Sequence, residues 1–471
     1  MKILVRAATA FGRSARKQRN RFGTEITHCR TGTGGMTRST RCAAVCAIRR
    51  PLQKRVLDVW WAKRIVGQLT ENQHGELSFV YEPAWLADPD TPPLSASLPK
   101  RKNAFTKRDC RPFFAGLLPE ESPREAVAQL LGVSVANDFS LLDRLGGEVA
   151  GAVELLQPGT PSSVVPSERL PKRLDDAALL EVLDDLPRRP FLTGQAGLRL
   201  SLAGAQPKVP VVLVDNAVAL PAPGQPTTHI LKPPIERFNG TTENEAFVMR
   251  LTRAVGLNVA NVEPRTVSDR KFLLIERYDR FFGADGHVYR LHQEDFCQAL
   301  GRPPEKKYAC DGGPAFVDCF NLLRACSKAP ALDVIALLDA AIFNVIVGNA
   351  DAHGKNYSIL YRSGSPRLAP LYDLLCTAYY RDLSKSFAMK IGNRPTLGEL
   401  DARGWEKFTD DAGMTWPFVR RRVRNIAELV EAKIESVVAE FASLKLDRAV
   451  VNDLAVLIRE RSAACETTLT K

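Results

Sequence analysis

The sequence predicts an α+β fold in which a β-rich first part is followed by a mainly α-helical second part. Between residues 56 and 290, short apolar segments alternate with Gly and Pro residues that punctuate them. Beyond Gln293, apolar residues recur at helical spacing over longer segments. A chain of 471 residues and 51.9 kDa is too long for one typical domain, so we expect two or three packed units with an ample core.

The positive charge of the chain is concentrated at its N-terminus. Residues 1–55 hold 14 Lys and Arg and one acid, Glu25, whereas the other 416 residues hold 51 basic and 52 acidic side chains. The body of the protein is therefore neutral, which does not indicate a nucleic-acid-binding protein. Composition predicts that residues 1–55 are disordered or lie upstream of the natural start. A targeting segment and direct nucleic-acid binding are the alternatives for these residues.

Cysteine content and hydropathy exclude two further classes of protein. Ten cysteines are too sparse and irregular for a disulfide scaffold, so we expect reduced thiols in a cytoplasmic protein. His28, Cys29, Cys42 and Cys46 are too loosely spaced to predict a zinc site. We find no uninterrupted run of about 18 apolar residues, so no membrane span is expected.

Short apolar segments bounded by turn residues predict the strands. They are Val56–Trp61, Lys63–Leu69, Glu76–Tyr81, Val149–Leu156, Leu198–Ser201, Val209–Val214, His229–Lys232 and Lys271–Ile275. Pro158–Pro171 is rich in Pro, Ser and Thr, which predicts a linker. Thr242 and Glu245 form a capping-box pattern ahead of a helix over Ala246–Val255, which Gly256 ends.

Helical spacing predicts the helices, and the longest lie near the C-terminus. They are Phe113–Leu118, Pro123–Leu131, Glu294–Leu300, Pro314–Cys326, Ala331–Val347, Trp416–Leu444 and Asp447–Arg461. Ile426, Val430 and Val437 keep helical spacing, so we expect the last helices to pack as an ordinary bundle.

A polar stretch that reads GNADAHGKN, Gly348–Asn356, is the most informative segment of the sequence. Asp351 and Asn356 are five residues apart, which is the spacing of the catalytic loop of protein kinases. Phosphoryl transfer needs a carboxylate to accept the proton of the attacking hydroxyl and a hard oxygen ligand for Mg²⁺. The alternative interpretation is a solvated loop whose side chains make local turns.

A second carboxylate is expected beside Asn356. Tyr357–Leu360 and Leu368–Pro370, joined by a turn at Ser363–Pro366, predict a β-hairpin that returns the chain to Asp373. Asp373 would then take the place of the Asp in the DFG motif of kinases, although the DFG motif itself is missing from the sequence.

Lys232 ends a predicted strand, the position at which kinases place the lysine that binds the α- and β-phosphates of ATP. The alternative is an exposed lysine at a sheet edge. Glu245 lies on the following helix, where kinases carry the acid that pairs with this lysine. Glu245 also completes the capping-box pattern, and the sequence does not separate these two interpretations.

Two further segments are candidates for nucleotide contacts. Ser201–Lys208, which reads SLAGAQPK, is a loop of small residues whose N–H groups are able to cradle phosphate. It matches neither the P-loop motif nor the three-glycine loop of kinases. Glu276–Asp279 follows the strand Lys271–Ile275, where we expect the hinge that binds adenine; a charged strand end is the alternative.

Taken in order, these segments resemble the HipA-like serine/threonine kinases, the toxin component of bacterial type II toxin–antitoxin pairs. The matching stretches are GLLPE at 116–120, GEVAGAV at 147–153, SLAGAQPK at 201–208, THILKPP at 228–234, ENE at 243–245, ERYDR at 276–280, HQEDFCQALG at 292–301, YACDGGP at 308–314, GNADAHGKN at 348–356 and APLYDLL at 369–375. The resemblance implies a bilobed protein-kinase-like fold, in which a β-rich N-lobe with an added N-terminal β subdomain precedes a mainly α-helical C-lobe.

The resemblance also implies roles for individual residues. Asp351 is expected to be the catalytic base, Asn356 and Asp373 the Mg²⁺ ligands, and Ser201 a site of inhibitory autophosphorylation. The residues expected to bind ATP are Ala203, Gly204, Ala205, Gln206, Pro207, Lys208, Lys232, Glu276, Arg277, Tyr278, His353, Gly354, Lys355, Asn356, Tyr372 and Asp373.

The resemblance further implies domain boundaries, substrates and partners. The parts are the extension 1–55, a HipA N-terminal subdomain 56–157, a linker with a helix 158–197, a nucleotide-binding lobe 198–290 and a helical catalytic lobe 291–471. Family substrates are aminoacyl-tRNA synthetases, notably glutamyl-tRNA synthetase, and the usual partner is a small helix-turn-helix antitoxin (HipB-like) that binds operator DNA. The alternative is a catalytically silent corepressor that acts on DNA with its antitoxin, which the retained Asp351, Asn356, Asp373 and Lys232 disfavour.

Overall fold

The computed structural model describes residues 54–162, 170–194, 199–362 and 364–470. The extension therefore lies outside the described residues, apart from Lys54 and Arg55, and so do His28, Cys29, Cys42 and Cys46. The described residues form an N-terminal subdomain, a β-rich lobe and a helical lobe. This arrangement confirms the predicted α+β, bilobed kinase-like fold with an added N-terminal β subdomain.

The N-terminal subdomain is an antiparallel sheet packed against short helices. In the spatial order β3-β2-β1-β4, its strands are β1 (Arg55–Trp61), β2 (Arg64–Glu71), β3 (Leu77–Tyr81) and β4 (Val153–Leu156). Its helices are α1 (Pro83–Ala87), α2 (Lys107–Ala115), α3 (Glu121–Leu131) and α4 (Asp138–Leu145). Leu57 and Val59, two residues apart on β1, point to the same side and enter a core to which α2 contributes Phe113.

The β-rich lobe is built on a six-stranded sheet in the order β5-β7-β6-β8-β10-β9. Its strands are β5 (Lys172–Arg173), β6 (Val209–Val214), β7 (Ala217–Leu220), β8 (His229–Lys232), β9 (Val262–Val267) and β10 (Arg270–Glu276). Its helices are α5 (Asp176–Asp185) and α6 (Thr241–Ala254), and β11 (Arg280–Phe282) and β12 (Val288–Arg290) form a separate ribbon. Val248 and Leu251 on α6 belong to the core of the helical lobe, so this helix joins the two lobes.

The helical lobe begins with a small sheet of β13 (His292–Asp295), β14 (Ser358–Arg362) and β15 (Ser365–Leu368). Its helices are α7 (Phe296–Ala299), α8 (Phe316–Cys326), α9 (Pro330–Val347), α10 (Ala402–Ala412), α11 (Trp416–Glu440) and α12 (Arg448–Thr467). Val430 on α11 and Leu454 on α12 lie in one large core with α9. The seven cysteines of the described residues are free thiols.

Among the described helices, α9 has the length and hydropathy of a possible membrane span, although no span is predicted from the sequence. Its 18 residues have a mean hydropathy of 2.0, which is enough by length and composition to cross a bilayer. However, 72% of it is buried inside the fold, and it carries Asp333 and Asp339. Its apolar character is therefore that of a core helix.

Two predicted elements are wrong because distant pairing decides their structure. Leu198–Ser201 is not a strand: within its described part, Leu200 alone forms an isolated bridge, to Glu148 of the N-terminal subdomain. Glu294–Leu300 is not one helix, because Glu294 pairs with Ile359 on β14 and the helix covers only Phe296–Ala299. For Glu294, a cross-strand partner so far along the chain overrides local helical spacing.

Two segments predicted as an extension and as a linker contribute strands and core residues to the fold. Arg55, assigned to the extension, is the first residue of β1 and donates to Glu71 at 2.9 Å. Within 158–197, β5 pairs with β7, and Leu183 on α5 enters the core beneath the six-stranded sheet. Helices α4 and α10 and strands β7 and β9 are not among the predicted elements, although α10 is an amphipathic helix of 11 residues that buries Trp405 and Phe408.

Candidate active site

A cavity of about 230 Å³ lies where the N-terminal subdomain and the two lobes meet. Most of the predicted site residues line it, namely Ala203, Gly204, Ala205, Gln206, Lys208, Lys232, Glu276, Arg277, Tyr278, Asp351, His353, Lys355, Asn356, Tyr372 and Asp373. Pro207, Gly354 and Ser201 do not line it. The fold therefore brings together residues from five separate segments of the chain.

Lys232, the last residue of β8, is the centre of a charge cluster at this cavity. Its ammonium donates to both carboxylate oxygens of Glu245 at 2.8 Å and to Asp373 Oδ1 at 2.9 Å. Lys232 is 5% exposed, whereas the side chain of Asp373 is 43% exposed and faces the cavity. Burial by itself lowers the pKa of Lys232, but the charges of Asp373 and Glu245 outweigh it and raise that pKa. Lys232 is therefore a cation at neutral pH.

Asp373 is held in an unusual conformation next to this lysine. Partial removal from water inside the cavity opposes the ionisation of Asp373, but the charges of Lys232 and then Lys208 outweigh that effect and lower its pKa. Its φ of +59° lies in the left-handed region, which costs a residue with a side chain about 1–2 kcal/mol. Strained backbone of this kind is concentrated at functional sites, because the surrounding structure has to hold it.

The structure separates the two interpretations of Glu245. Helix α6 begins at Thr241 with Gly240 as its N-cap, and no side chain caps it. The predicted capping box is therefore wrong, because the helix starts before Thr242 and Gly240 adopts a φ of +67° that suits glycine. Glu245 instead points at Lys232, the pairing expected for a kinase.

Asp351 lies in the loop that follows α9, and several contacts fix it there. Gly348, with a φ of +75°, ends the helix. The Tyr308 hydroxyl donates to Asp351 Oδ1 at 3.0 Å, and the side-chain amide of Asn356 donates to the Asp351 carbonyl at 3.2 Å. His353 is buried, and burial lowers its pKa to about 4, so its ring is neutral at pH 7. The loop thus presents one carboxylate and one amide to the cavity.

The loop Ser201–Lys208 runs along the side of the cavity nearest the N-terminal subdomain. Gly204 has a φ of +113°, and a Cβ there would lie 2.6 Å from Lys208 Nζ, so this position requires glycine. Lys208 donates to the Ala203 carbonyl at 2.8 Å. Burial and then the neighbouring charge of Lys232 lower the pKa of Lys208 to about 8. Ser201 is fully buried, and its hydroxyl donates to the Leu117 carbonyl at 2.8 Å.

The segment predicted as the hinge divides into two kinds of residue. Tyr278 lies in the cavity, with its ring centroid 5.8 Å from that of Tyr372, and apolar residues such as Ile275 and Ala260 line the same cavity. Arg277 also lines the cavity, but its guanidinium enters a buried ion network, donating to Asp279 at 3.0 Å and 2.9 Å and to Glu148 at 3.2 Å. This guanidinium therefore joins the N-terminal subdomain to the segment Glu276–Asp279.

Several residues that line the cavity or contact the loop Gly348–Asn356 were not among the predicted site residues, including Glu120, Asp295, Lys307 and Tyr308. Lys307 donates to Glu120 at 2.8 Å, and Lys355 donates to Asp295 at 2.5 Å. Glu120 and Tyr308 do occur within stretches that carry the family resemblance, at 116–120 and 308–314. Their local sequences show no chemical pattern, so only their positions in space connect them to the site.

Comparison with known protein families agrees with this geometry. The model of the HipA N-terminal domain matches residues 57–156, and that of the HipA-like C-terminal domain matches residues 200–438. This chain belongs to the HipA family. It is thus a HipA-like, kinase-like toxin of that family, as its sequence motifs predicted.

Similar individual proteins extend across most of the chain. It is 59% identical over 411 residues to "Putative kinase Y4mE" of Sinorhizobium fredii, which covers 87% of this chain and 98% of that protein. It is 30% identical over 376 residues to the serine/threonine-protein kinase toxin HipA of Shewanella oneidensis, covering 76% of this chain and 83% of that protein. A solved structure of HipA with HipB and operator DNA from S. oneidensis superposes with a TM-score of 0.76 at 27% identity, covering 86% of this chain and 96% of that one.

Proposed function

We propose that this protein is an ATP- and Mg²⁺-dependent serine/threonine protein kinase. The observation that carries the proposal is the binding of Lys232 to both Glu245 and Asp373 in a cavity that also contains Asp351. A lysine held by an acid on the following helix is the arrangement that kinases use to neutralise the α- and β-phosphates. Catalysis of phosphoryl transfer consists mainly of positioning and charge stabilisation, for which such a cluster is suited.

The chemistry of the cavity supports ATP as the ligand. Ile230, Ile275 and Tyr278 offer apolar surface for an adenine, whereas Lys208 and Lys232 supply positive charge for the phosphates. In the proposed reaction, Asp351 orients the hydroxyl of the substrate and accepts its proton. The Tyr308 hydroxyl keeps the Asp351 carboxylate in place for that purpose.

Asn356 and Asp373 have the donor chemistry of a Mg²⁺ site. Mg²⁺ prefers oxygen ligands and binds through one or two protein groups together with substrate phosphates. The side-chain NH₂ of Asn356 donates to the Asp351 carbonyl. The amide oxygen of Asn356 is therefore the atom that would bind the ion. Among the described residues, no group of three or more His, Cys, Asp or Glu side chains is placed to hold a metal ion. When bound, the ion supplies charge neutralisation for the phosphates.

The substrate and partner are proposed from the family. We infer that the protein phosphorylates a translation factor such as glutamyl-tRNA synthetase or another aminoacyl-tRNA synthetase, and thereby inhibits growth. The solved relative is named as a complex with HipB and operator DNA, which supports a helix-turn-helix antitoxin as the partner of this protein. Operator DNA would then be bound through the antitoxin.

Self-inhibition through Ser201 is a further part of the proposal. In the described conformation the Ser201 hydroxyl is buried against Leu117, so the loop has to swing outward before this hydroxyl receives a phosphate. A phosphate adds about −1.5 to −2 charge. That charge would repel the phosphates of ATP and keep the loop away from the cavity.

Transfer of labelled phosphate from ATP tests the kinase proposal. The purified protein is incubated with Mg²⁺ and γ-labelled ATP, with glutamyl-tRNA synthetase as acceptor, next to Asp351→Asn. We expect Asp351→Asn to lower kcat by about two to four orders of magnitude with unchanged ATP affinity, since it removes only the base. The control is Asp339→Asn. Asp339 is a buried carboxylate that accepts from Arg422 at 2.8 Å, and it does not line the cavity. Equal activity in Asp351→Asn and the wild type would contradict the assignment.

The complex with DNA in the solved relative also favours a second candidate, a silent corepressor that acts with its antitoxin. This alternative predicts repression of the operator by the protein and its antitoxin but no ATP binding. Calorimetric titration with ATP and Mg²⁺ distinguishes the two, because the kinase proposal requires a binding isotherm that Lys232→Met weakens.

A further inference from the structure

One residue of the N-terminal subdomain contacts both sides of the cavity. Glu120, which precedes α3, is 9% exposed. Its backbone N–H donates to the Gly204 carbonyl at 3.0 Å, and Pro119 forms a parallel bridge with the same glycine. Its carboxylate points the other way: Oε2 accepts from Lys307 Nζ at 2.8 Å, and Oε1 lies 3.7 Å from Lys355 Nζ. Glu120 thus connects the loop Ser201–Lys208, called the phosphate loop below, to two buried cations.

These two cations belong to the part of the cavity that contains the catalytic loop. Lys307 directly precedes Tyr308, whose hydroxyl donates to Asp351. Lys355 directly precedes Asn356 and also donates to Asp295. A single carboxylate is therefore linked to the expected base through Lys307 and Tyr308, and to an expected metal ligand, Asn356, through Lys355.

The electrostatics indicate that Glu120 is ionised in this position. Burial opposes ionisation, but the charges of Lys307 and Lys355 outweigh it and lower the pKa of Glu120 to about 2. Well-packed apolar residues often stabilise a fold as well as a buried ion pair does, so stability is a weak reason for placing charges here. Fixing the relative position of charged groups is a better-supported use of such a cluster.

We propose that Glu120 is a positioning residue that sets the spacing between the phosphate loop and the catalytic loop. Its backbone holds Gly204, and its carboxylate holds Lys307 and Lys355. The N-terminal subdomain then takes a direct part in the reaction, and this inference rests on the proposed phosphoryl transfer. Because transfer requires close alignment of the reacting atoms, a displacement of about 1 Å costs on the order of 10²-fold in rate.

The test uses Glu120→Gln in the full-length protein, because glutamine keeps the backbone N–H and the size of the side chain but removes its charge. Without its two ion pairs, residue 120 is held less firmly, so the hydrogen bond from its backbone N–H to the Gly204 carbonyl should open more often. We expect faster amide hydrogen exchange in peptides covering 117–121 and 199–208, measured without ATP. We also expect kcat to fall by about 10- to 100-fold, while KM for ATP changes by less than about threefold.

Two comparisons separate positioning from stabilisation. Asp339→Asn removes another buried carboxylate, and it should leave exchange at 199–208 and kcat unchanged. The double variant Glu120→Gln/Lys307→Met removes both charges of this pair, and the other carboxylate near Lys307, that of Glu121 at 3.4 Å, has a side chain that is 25% exposed to water. The double variant should therefore regain melting temperature while kcat stays low. Recovery of both quantities would mean that Glu120 only stabilises the fold.

The exchange measurement also keeps this inference apart from the proposed function. If the wild type transfers no phosphate, the kinase proposal fails, and exchange at 199–208 still decides whether Glu120 holds the loop. Unchanged exchange in Glu120→Gln overturns the inference even if the wild type is an active kinase.

Discussion

Replacement of Lys232 by methionine should destabilise the protein because it leaves Glu245 buried without a cation. The ammonium contacts both oxygens of Glu245 at 2.8 Å, and Glu245 is 5% exposed. Removing one partner of a buried ion pair costs about 3–5 kcal/mol. Asp373 adds little to this cost, because its side chain is 43% exposed and solvent screens its charge. Glu245 is able to take up a proton, which limits the loss, so we expect about 3 kcal/mol at pH 7.

The pH dependence of this loss follows from the same carboxyl group. Burial, the largest effect, already raises the pKa of Glu245 above its ordinary value of 4.5, and Lys232 opposes that rise. Without the lysine, the folded state holds the Glu245 proton still more tightly than the unfolded chain does. The stability of Lys232→Met should therefore fall as the pH rises above about 4.5 and recover on acidification toward that value.

Urea titrations of the wild type and Lys232→Met at pH 5 and pH 7 measure this difference. The double variant Lys232→Met/Glu245→Gln should regain most of the stability at pH 7, because no unpaired charge remains beside α6. It should still bind ATP about 10- to 100-fold more weakly, since a charge-assisted hydrogen bond contributes about 1.5–3 kcal/mol. Stability of Lys232→Met within about 0.5 kcal/mol of the wild type at pH 7 would refute the reasoning, as would wild-type ATP affinity in the double variant.

Three further predictions concern the phosphate loop and the N-terminus. Because the pKa of Lys208 is lowered to about 8, this lysine loses its charge as the pH rises, and ATP affinity should fall about tenfold between pH 7.5 and 9.5. In calorimetric titrations, the ATP affinity of Lys208→Arg should not change over this pH range. A wild-type ATP affinity that is also independent of pH would contradict the role of Lys208 in binding the phosphates. Mass spectrometry after incubation with Mg-ATP should detect phosphate on Ser201. The variant Ser201→Asp, which imitates this negative charge, should bind ATP poorly. Normal ATP binding by Ser201→Asp would argue against self-inhibition. Deleting residues 1–53 should leave the melting temperature unchanged. Extending the deletion through Arg55 should lower the melting temperature, since Arg55 donates to Glu71 at 2.9 Å. A drop of several degrees for the shorter deletion would show that the extension packs on the body.

Much of the fold was predictable because it depends on local patterns. The predicted strands at Val56–Trp61 and His229–Lys232 and the helix at Ala331–Val347 agree with β1, β8 and α9 to within one residue at each end. Each has a continuous apolar pattern bounded by turn or loop residues, which a single sequence displays directly. The spacing of Asp351 and Asn356 likewise identified the loop that lines the cavity.

The errors arise where partners distant in the chain decide the structure. Glu294 has helical neighbours but pairs with Ile359 on β14, so it lies in a strand. Thr242 and Glu245 have capping-box spacing, but the helix starts at Thr241 after the left-handed Gly240, and Glu245 pairs with Lys232 instead. In both cases a tertiary contact outweighs a local preference of about 1 kcal/mol.

The sequence by itself determined the class of the fold, the family and the residue types of the site, since these follow from periodicity and from ordered motifs. Only the tertiary structure decided which charges meet. Lys232 lies 141 residues from Asp373, and Glu120 lies 187 residues from Lys307, yet each pair is in contact. The local sequence does not predict such pairs, because their interaction energy depends on the distance between the two charges and on their burial in the folded protein. The part played by the N-terminal subdomain in the candidate site is therefore visible only once the chain has folded.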